Sequence, residues 1–401
     1  MYMLPKKISK LFTVNLFIAL MFFTSCEEGD GPKLMEQAIV IDCNYFSKNP
    51  NAVLTDNPNA PVDYIITCQS TSIPDDVVIE PGVTLAFETD AGLWIREDGA
   101  LKAVGTSSKP ITFTGVDKSK GSWGGIFFAS NDTKNEMKYT TVEYAGGANS
   151  SSATNNKGGV VIGSGASLKF SDNTIQHCAG FALNLYYSAN PAATTIENNT
   201  FKNNEIPVQI SLPFIGLLKG DNKFMDNTSN KAEITCTYAI ATTQTMHKLN
   251  IPYLVRGLFN FEIGNEGNLT IEPGTVIEMA TDKRIVVRGS LKAAGTSSEK
   301  IIFRGETAAS GAWGNIVYHS ASPNNQLNHV EIRHAGASPV SYHLNRGAVA
   351  LASDARLGAD NIHFEDIFSC MLYQVNPSVL TWGSNITNSN INVAGLENCQ
   401  N

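Results

Sequence analysis

Residues 77–115 read VVIEPGVTLAFETDAGLWIREDGALKAVGTSSKPITFTG, and residues 269–305 read LTIEPGTVIEMATDKRIVVRGSLKAAGTSSEKIIFRG. The segment Glu80-Pro81-Gly82 recurs as Glu272-Pro273-Gly274, and Trp123 recurs as Trp313, at a nearly constant offset. A nearly constant offset means that the chain contains a duplicated structural unit, and this unit decides the fold.

Each copy consists of short runs in which apolar and polar residues alternate. One such run is Leu269 to Ile271, and turn sequences such as Glu-Pro-Gly and Gly-Thr-Ser-Ser separate the runs. The alternating runs are too short for helices and therefore predict β-strands. Val77 recurs as Leu93 within the same copy, so this smaller period leaves no room for a crossover helix.

Asparagines recur at wider intervals between the two copies. Asn173, Asn199 and Asn222 each precede a short apolar strand pattern, and the intervals between them are about one coil of a parallel β-solenoid. Asparagines at one corner of such a solenoid can stack into a ladder of side-chain hydrogen bonds.

These motifs resemble those of a known family, the right-handed parallel β-helix lipoproteins of Bacteroidota-type bacteria. The resemblance lies in IEPG, GxLKAxGTSS, ITFTG, WGGI and VEYAGG, and it covers most of residues 70 to 400. It implies an all-β fold, a right-handed parallel β-helix with two internally duplicated halves and capped ends. It does not imply one function, because the same coil carries polysaccharide lyases, hydrolases and adhesins.

The first 26 residues have the pattern of a lipoprotein signal. Basic residues come first, an apolar run follows from Leu11 to Phe23, and the segment ends as Phe23-Thr24-Ser25-Cys26. This pattern predicts a signal peptide over 1–25 and a lipid on Cys26 that attaches the protein to the membrane. The alternative is a transmembrane helix, but the run is short and Asn15 interrupts it. We expect an outer-membrane protein that faces the cell exterior.

The remaining chain divides into four segments by composition and pattern. An acidic tether is expected over 26–36, an N-terminal cap over 37–70, the first half of the β-helix over 71–232, and the second half with a C-terminal cap over 233–401. The pattern allows the halves to stack as one solenoid or to form two domains, and we favour one continuous body. The net charge of −8 and the lack of a basic domain argue against nucleic acid as a partner.

Six cysteines follow Cys26, and an oxidising envelope would permit them to pair. Since terminal coils expose unpaired strand edges, we expect disulfides at the two ends, Cys43 with Cys68 and Cys370 with Cys399. The alternative is that some of the six are buried free thiols, and Cys178, which lies beside a core strand pattern, is the first candidate.

Features present in both copies are expected to be structural, so a site is sought among features unique to one half. The second half carries a basic stripe whose members alternate with apolar residues and could bind an acidic glycan: Arg284, Arg288, Lys300 and Arg304. The alternative is a solvated face that Asp282, Glu299 and Glu306 partly neutralise.

Two further clusters in the second half show no recognisable signature. Five histidines lie close in sequence without metal-ligand spacing: His319, His329, His334, His343 and His363. Four carboxylates come nearest to the acidic set of a β-helix lyase or hydrolase: Asp354, Asp360, Glu365 and Asp366. The sequence assigns no catalytic residue, no metal site and no cofactor.

These observations favour a cell-surface lipoprotein whose non-catalytic β-helix body binds extended ligands, either glycans or partner proteins. One alternative is a polysaccharide lyase or glycoside hydrolase on the same fold. The other is a structural, adhesin-like stalk.

Overall fold

The computed structural model describes residues 36–149, 157–186, 190–336 and 347–390, together with the backbone of the strand Asn398–Cys399. The chain forms an all-β, right-handed parallel β-helix of about 13 turns, as predicted. Within the described residues the helices are the α-helix Tyr45–Lys48 and the 3₁₀-helix Leu212–Leu217. No helix in this part of the chain is long and apolar enough to cross a membrane.

Two sheets belong to the first half alone. Sheet 1 has eight parallel strands: Ile39–Ile41, Tyr64–Ile66, Thr84–Phe87, Ile111–Gly115, Thr140–Glu143, Thr174–Gln176, Thr200–Lys202 and Lys223–Met225. Sheet 2 has six: Val53–Leu54, Asp76–Ile79, Ala100–Val104, Glu136–Lys138, Lys169–Ser171 and Thr195–Glu197.

Sheet 3 runs through both halves. Its strands are Thr71–Ile73, Gly92–Ile95, Gly125–Phe128, Val160–Ile162, Phe181–Leu185, Ile206–Ser211, Ala232–Thr235, Tyr253–Arg256, Val276–Met279, Ile301–Gly305, the last parts of Gln326–Arg333 and Arg356–Glu365, and Ile386–Ser389.

Two sheets belong to the second half. Sheet 4 contains Phe261–Ile263, Ile285–Val287, Ile316–Tyr318, Val349–Leu351, Leu372–Gln374 and Asn398–Cys399. Sheet 5 contains Thr243–Met246, Asn268–Ile271, Ser290–Ala294, the first parts of Gln326–Arg333 and Arg356–Glu365, and Val379–Trp382.

The interior is one continuous column of apolar side chains from Ile41 to Leu372. Alternate residues of each strand point inward and stack on the same position of the next coil. In sheet 1, Phe113 pairs in register with Val142, and Phe201 stacks on Phe224 with ring centroids 5.2 Å apart.

The asparagine ladder is confirmed. Asn173 Nδ2 donates to Asn199 Oδ1 at 3.0 Å, and Asn199 Nδ2 donates to Asn222 Oδ1 at 3.0 Å. All three side chains are buried, so the ladder satisfies polar groups at a corner where the backbone turns.

The two halves form one solenoid. The strand Ile206–Ser211 pairs with Ala232–Thr235, which pairs with Tyr253–Arg256, which pairs with Val276–Met279. Hydrogen bonding between coils is therefore unbroken where the sequence pattern restarts.

Equivalent strands of the two copies belong to different sheets. Thr84–Phe87, which follows the first Glu-Pro-Gly turn, lies in sheet 1, whereas its counterpart Val276–Met279 lies in sheet 3. Likewise Gly92–Ile95 lies in sheet 3 and its counterpart Ile285–Val287 in sheet 4. The two copies therefore contribute different strands to the shared sheet 3.

The β-helix begins earlier than the predicted boundary at residue 71. Ile39–Ile41 already pairs with Tyr64–Ile66, so the segment 37–70 contributes coil strands, and the short helix Tyr45–Lys48 buries Phe46 against the end of the core. Strands of two or three residues between polar turns gave too weak a pattern to be recognised as a coil.

The predicted disulfide between Cys43 and Cys68 is confirmed. Cys370 is also disulfide-bonded, but the side chain of Cys399 lies outside the described residues, so the pairing of Cys370 with Cys399 stays a prediction. Cys26 lies outside the described residues too. Cys178 and Cys236 are buried free thiols, and burial raises the pKa of each to about 12.

Candidate functional site

On the outer face of sheet 5, one column of side chains lacks a long side chain that the equivalent column of sheet 2 has. In sheet 2 a column of long side chains runs in register from Lys102 to Glu136 to Lys169. In sheet 5 the equivalent column runs from Lys292 to Gln326 to Gly358. The second copy therefore has no side chain where the first copy has a lysine.

A groove of about 340 Å³ lies at this position on the surface of sheet 5. It spans three successive coils, because Gln326, Gly358 and Thr381 are register partners. Its lining consists of Gln326, Leu327, Asn328, Gly358, Ala359, Asp360, Thr381 and Gly383.

The backbone does not require glycine at position 358. A β-carbon built there would have only the Asn325 carbonyl oxygen nearby, at 3.8 Å, which is an ordinary van der Waals contact. The effect of Gly358 is therefore to leave space on the outer face of the sheet.

Asp360 supplies the single carboxylate of the groove lining. Its Oδ1 accepts hydrogen bonds from the backbone N–H groups of Asn361 at 2.9 Å and Asn385 at 3.3 Å. These two donors hold the carboxylate in place. No described residue hydrogen-bonds to the second oxygen, Oδ2, and no cation in the described ranges pairs with Asp360.

Asn328 is the register partner of Asp360 on the neighbouring strand. Its Oδ1 accepts a hydrogen bond from Asn361 Nδ2 at 3.0 Å, which fixes the amide and leaves its NH₂ group as a donor. The side chains of Gln326 and Thr381 make no hydrogen bond to any part of the chain that the structure describes. The groove thus presents both donors and acceptors that the protein itself leaves unused.

Gly383 forms the other wall of the groove, and here a glycine is required. A β-carbon at Gly383 would overlap with Oδ1 of Asp360. The close approach of this backbone to Asp360 sets the position of the carboxylate.

The four residues of the predicted basic stripe do not lie on one flat sheet. Arg284 and Arg288 flank the strand Ile285–Val287 of sheet 4, whereas Lys300 and Arg304 lie before and within the strand Ile301–Gly305 of sheet 3. The strand Ser290–Ala294 of sheet 5 lies between the two pairs along the chain.

Three of these bases are held by carboxylates of neighbouring coils. Arg288 pairs with Glu262 at 2.8 Å, Lys300 with Glu331 at 2.8 Å, and Arg304 with Glu278 at 2.6 Å. The carboxylates expected to neutralise the stripe, Asp282, Glu299 and Glu306, are not those partners, because the partners come from adjacent rungs and not from adjacent positions in sequence.

Arg284 is half-buried, and burial lowers the pKa of its guanidinium, an effect that the charge of Asp282 opposes. An acidic ligand would have to displace existing ion pairs on this side of the molecule.

The candidate carboxylates are distributed around one coil. Asp354 and Asp366 occupy corner positions with positive φ, Asp360 lies in the groove, and Glu365 pairs with Arg333 at 3.0 Å on sheet 3. The groove lining holds one carboxylate, whereas glycoside hydrolysis normally uses two that flank the scissile bond.

The described histidines do not converge on a metal site. His363 bonds to Thr387 at 2.8 Å, and His334 lies 3.7 Å from Asp366. Burial lowers the pKa of His319, and the nearby charge of Arg288 lowers it further. No group of three or more His, Cys, Asp or Glu side chains in the described part of the chain could hold a metal ion. His343 lies outside the described residues.

A comparison with protein families agrees with the architecture. A family model described as a right-handed beta helix region matches residues 99–250. No curated protein and no solved structure matches the chain significantly. The match is to the fold and does not indicate a site.

The sequence pattern placed Asp360 only among four carboxylates without a signature, and it did not indicate the groove. The signal was present in the alignment of the two copies, because Leu168-Lys169 corresponds to Leu357-Gly358. Where an outward lysine of one copy is a glycine in the other, and no turn requires glycine, the second copy is expected to have a groove on its surface.

Proposed function

We propose that this protein is a cell-surface lipoprotein whose β-helix body binds an extended ligand in the groove around Gly358. The observation that carries this proposal is the loss of one long side chain, Lys169 in the first copy, at the equivalent rung of the second. Features shared by the copies maintain the coil, whereas this groove belongs to one copy only.

The shape of the groove supports an extended ligand. It is open and runs over three coils, about 10 Å along the helix axis, on a surface made of regular strands. Shallow polar grooves of this kind can bind a segment of a glycan chain or a peptide.

The test compares the full-length chain with the variant Gly358→Lys on an array of polysaccharides and outer-surface proteins. The variant restores the first-copy residue, and the space at Gly358 means that the coil should fold normally. We expect the wild type to bind and Gly358→Lys to lose about tenfold or more in affinity. The matched control is Thr270→Lys, which adds the same charge to the same outer column, three strands away from Gly358.

Equal binding by the wild type and Gly358→Lys would place the ligand elsewhere and overturn the proposed site. Reaction products should be followed on the same array. Cleavage that Gly358→Lys abolishes would replace binding with catalysis.

The membrane attachment is proposed from the sequence at Cys26. Metabolic labelling with a radioactive fatty acid should label the wild type and should not label Cys26→Ala. Label that persists in Cys26→Ala would contradict the anchor without affecting the groove.

A further inference from the structure

The groove contains an acceptor and a donor fixed side by side. Asp360 and Asn328 are register partners, so their backbones lie about 4.8 Å apart on neighbouring strands. The unused oxygen of Asp360 is an acceptor, and the unused NH₂ group of Asn328 is a donor. Each side chain is held by hydrogen bonds of its own, at 2.9 Å and 3.0 Å, so little ordering is required on binding.

This pair matches the chemistry of neighbouring hydroxyl groups. A hydroxyl can donate one hydrogen bond and accept others, so one hydroxyl of a sugar ring can donate to the carboxylate while the next accepts from the amide. A hydrogen bond to a charged carboxylate is stronger than one between neutral groups. Gln326 and Thr381 add further polar groups on the flanking coils.

The charge in the groove lining disfavours an anionic ligand. Asp360 is the charged group in the lining, and no cation of the described chain pairs with it. A carboxylate or sulfate placed beside it would be repelled. Three bases of the predicted stripe are engaged with Glu262, Glu331 and Glu278 on other faces.

We infer that the ligand of this groove is an uncharged polysaccharide, bound along the helix axis through vicinal hydroxyls that Asp360 and Asn328 recognise. The inference rests on the proposed function and narrows it to one ligand class. Asp360 and Asn328 act as binding residues, and Gly358 provides the space.

The experiment uses isothermal titration of the full-length chain with three probes, a neutral mannan, a neutral xyloglucan and polygalacturonate. The informative variant is Asp360→Asn, which keeps the shape of the side chain and the acceptor for Asn361 but replaces the free acceptor oxygen with a donor. Asp354→Asn is the matched control, because it removes one carboxylate from an exposed turn of the same coil.

We expect a neutral polysaccharide to bind the wild type and Asp354→Asn equally, and Asp360→Asn to bind about tenfold more weakly. Preference for polygalacturonate or for a protein, abolished by Gly358→Lys, would overturn this inference and leave the proposed groove standing. Neutral-glycan binding that neither Gly358→Lys nor Asp360→Asn weakens would overturn both.

Discussion

Gly383 and Asp360 lie in direct contact in the wall of the groove, so a methyl group at position 383 must move the carboxylate. We expect Gly383→Ala to weaken neutral-glycan binding about tenfold and to lower the free energy of unfolding by about 1 to 3 kcal/mol, the usual cost of overpacking. Titration and chemical denaturation measure the two effects. Gly358→Ala is the control for stability, since its β-carbon has room in the fold. Wild-type affinity in Gly383→Ala would show that the position of Asp360 is unimportant.

Glu331 links the bases of two coils and predicts a dependence of stability on pH. Burial, the largest single effect, raises the pKa of Glu331, but hydrogen bonds and charge from Lys300 and Arg333 outweigh it and hold the pKa below its ordinary value of 4.5. A carboxyl group whose pKa is depressed in the folded state stabilises the fold at every pH above its ordinary pKa. This contribution is lost as the pH falls through the folded-state pKa.

Glu331→Gln should therefore be less stable than the wild type by about 1 kcal/mol at pH 7, a modest value because both bases are partly exposed. The difference should shrink below pH 4.5. Urea unfolding at several pH values measures it. A difference that stays constant down to pH 3 would mean that the substitution acts through packing and not through charge.

At the scale of the structural element, the asparagine ladder is the device that holds corners of successive coils together. Asn199 receives hydrogen bonds from the backbone and side chain of Asn173, and donates to Asn222 and to the Phe170 carbonyl. Removing it leaves several buried polar groups without partners, each of which costs on the order of 1–3 kcal/mol.

We expect Asn199→Ala to lower the free energy of unfolding by about 3 kcal/mol, as measured by chemical denaturation. Glu197→Ala, an exposed change on the same turn, should cost less than about 0.5 kcal/mol. Equal effects of the two substitutions would show that the ladder adds no stability beyond that of the exposed turn.

The strands and the ladder could be predicted because each imposes a repeating constraint on the sequence. An inward position must be apolar at every second residue, and a ladder needs one asparagine per coil, so both leave a period that can be read. Outward positions such as Gly358 and Gln326 carry no such constraint. The groove forms because these positions lie next to each other on neighbouring coils. That placement depends on strand register, which the sequence pattern does not give.

The pairing of Arg304 with Glu278 also depends on strand register and could not be predicted, because the two residues lie 26 positions apart in sequence. The change in sheet membership between the two copies was also not predictable. It occurs near the 3₁₀-helix Leu212–Leu217, which directly follows the strand Ile206–Ser211 of sheet 3 and carries the buried residues Leu212, Ile215 and Leu217. The sequence showed this run as apolar but not how the next coil would stack on it.

At the scale of the whole molecule, the single apolar column and unbroken sheet 3 make a rod in which each coil contacts its neighbours. The stability of such a solenoid is approximately a sum over coils and the interfaces between them. The groove of the second copy lies on sheet 5, whereas the lysine-covered column of the first copy lies on sheet 2.

The interface between the halves depends on a cluster of ion pairs around Glu278. This carboxylate is 5% exposed and contacts Lys231 Nζ at 2.7 Å and Arg304 Nη2 at 2.6 Å, so it joins the end of the first half to the second. Loss of one partner of a buried ion pair leaves the others poorly compensated. Since Lys231 and Arg304 are partly exposed, we expect Glu278→Gln to cost about 2 kcal/mol, below the cost for a fully buried pair.

That loss should be local in a solenoid, because only the coils that share the cluster are weakened. Hydrogen exchange should show reduced protection in Ala232–Thr235 and Tyr253–Arg256, with Thr84–Phe87 and Val349–Leu351 unchanged. The control is Glu262→Gln, which breaks the exposed pair with Arg288 and should leave protection as in the wild type. If Glu278→Gln instead lowered protection equally along the whole chain, the halves would unfold as one cooperative unit, and the loss would not be local to the junction.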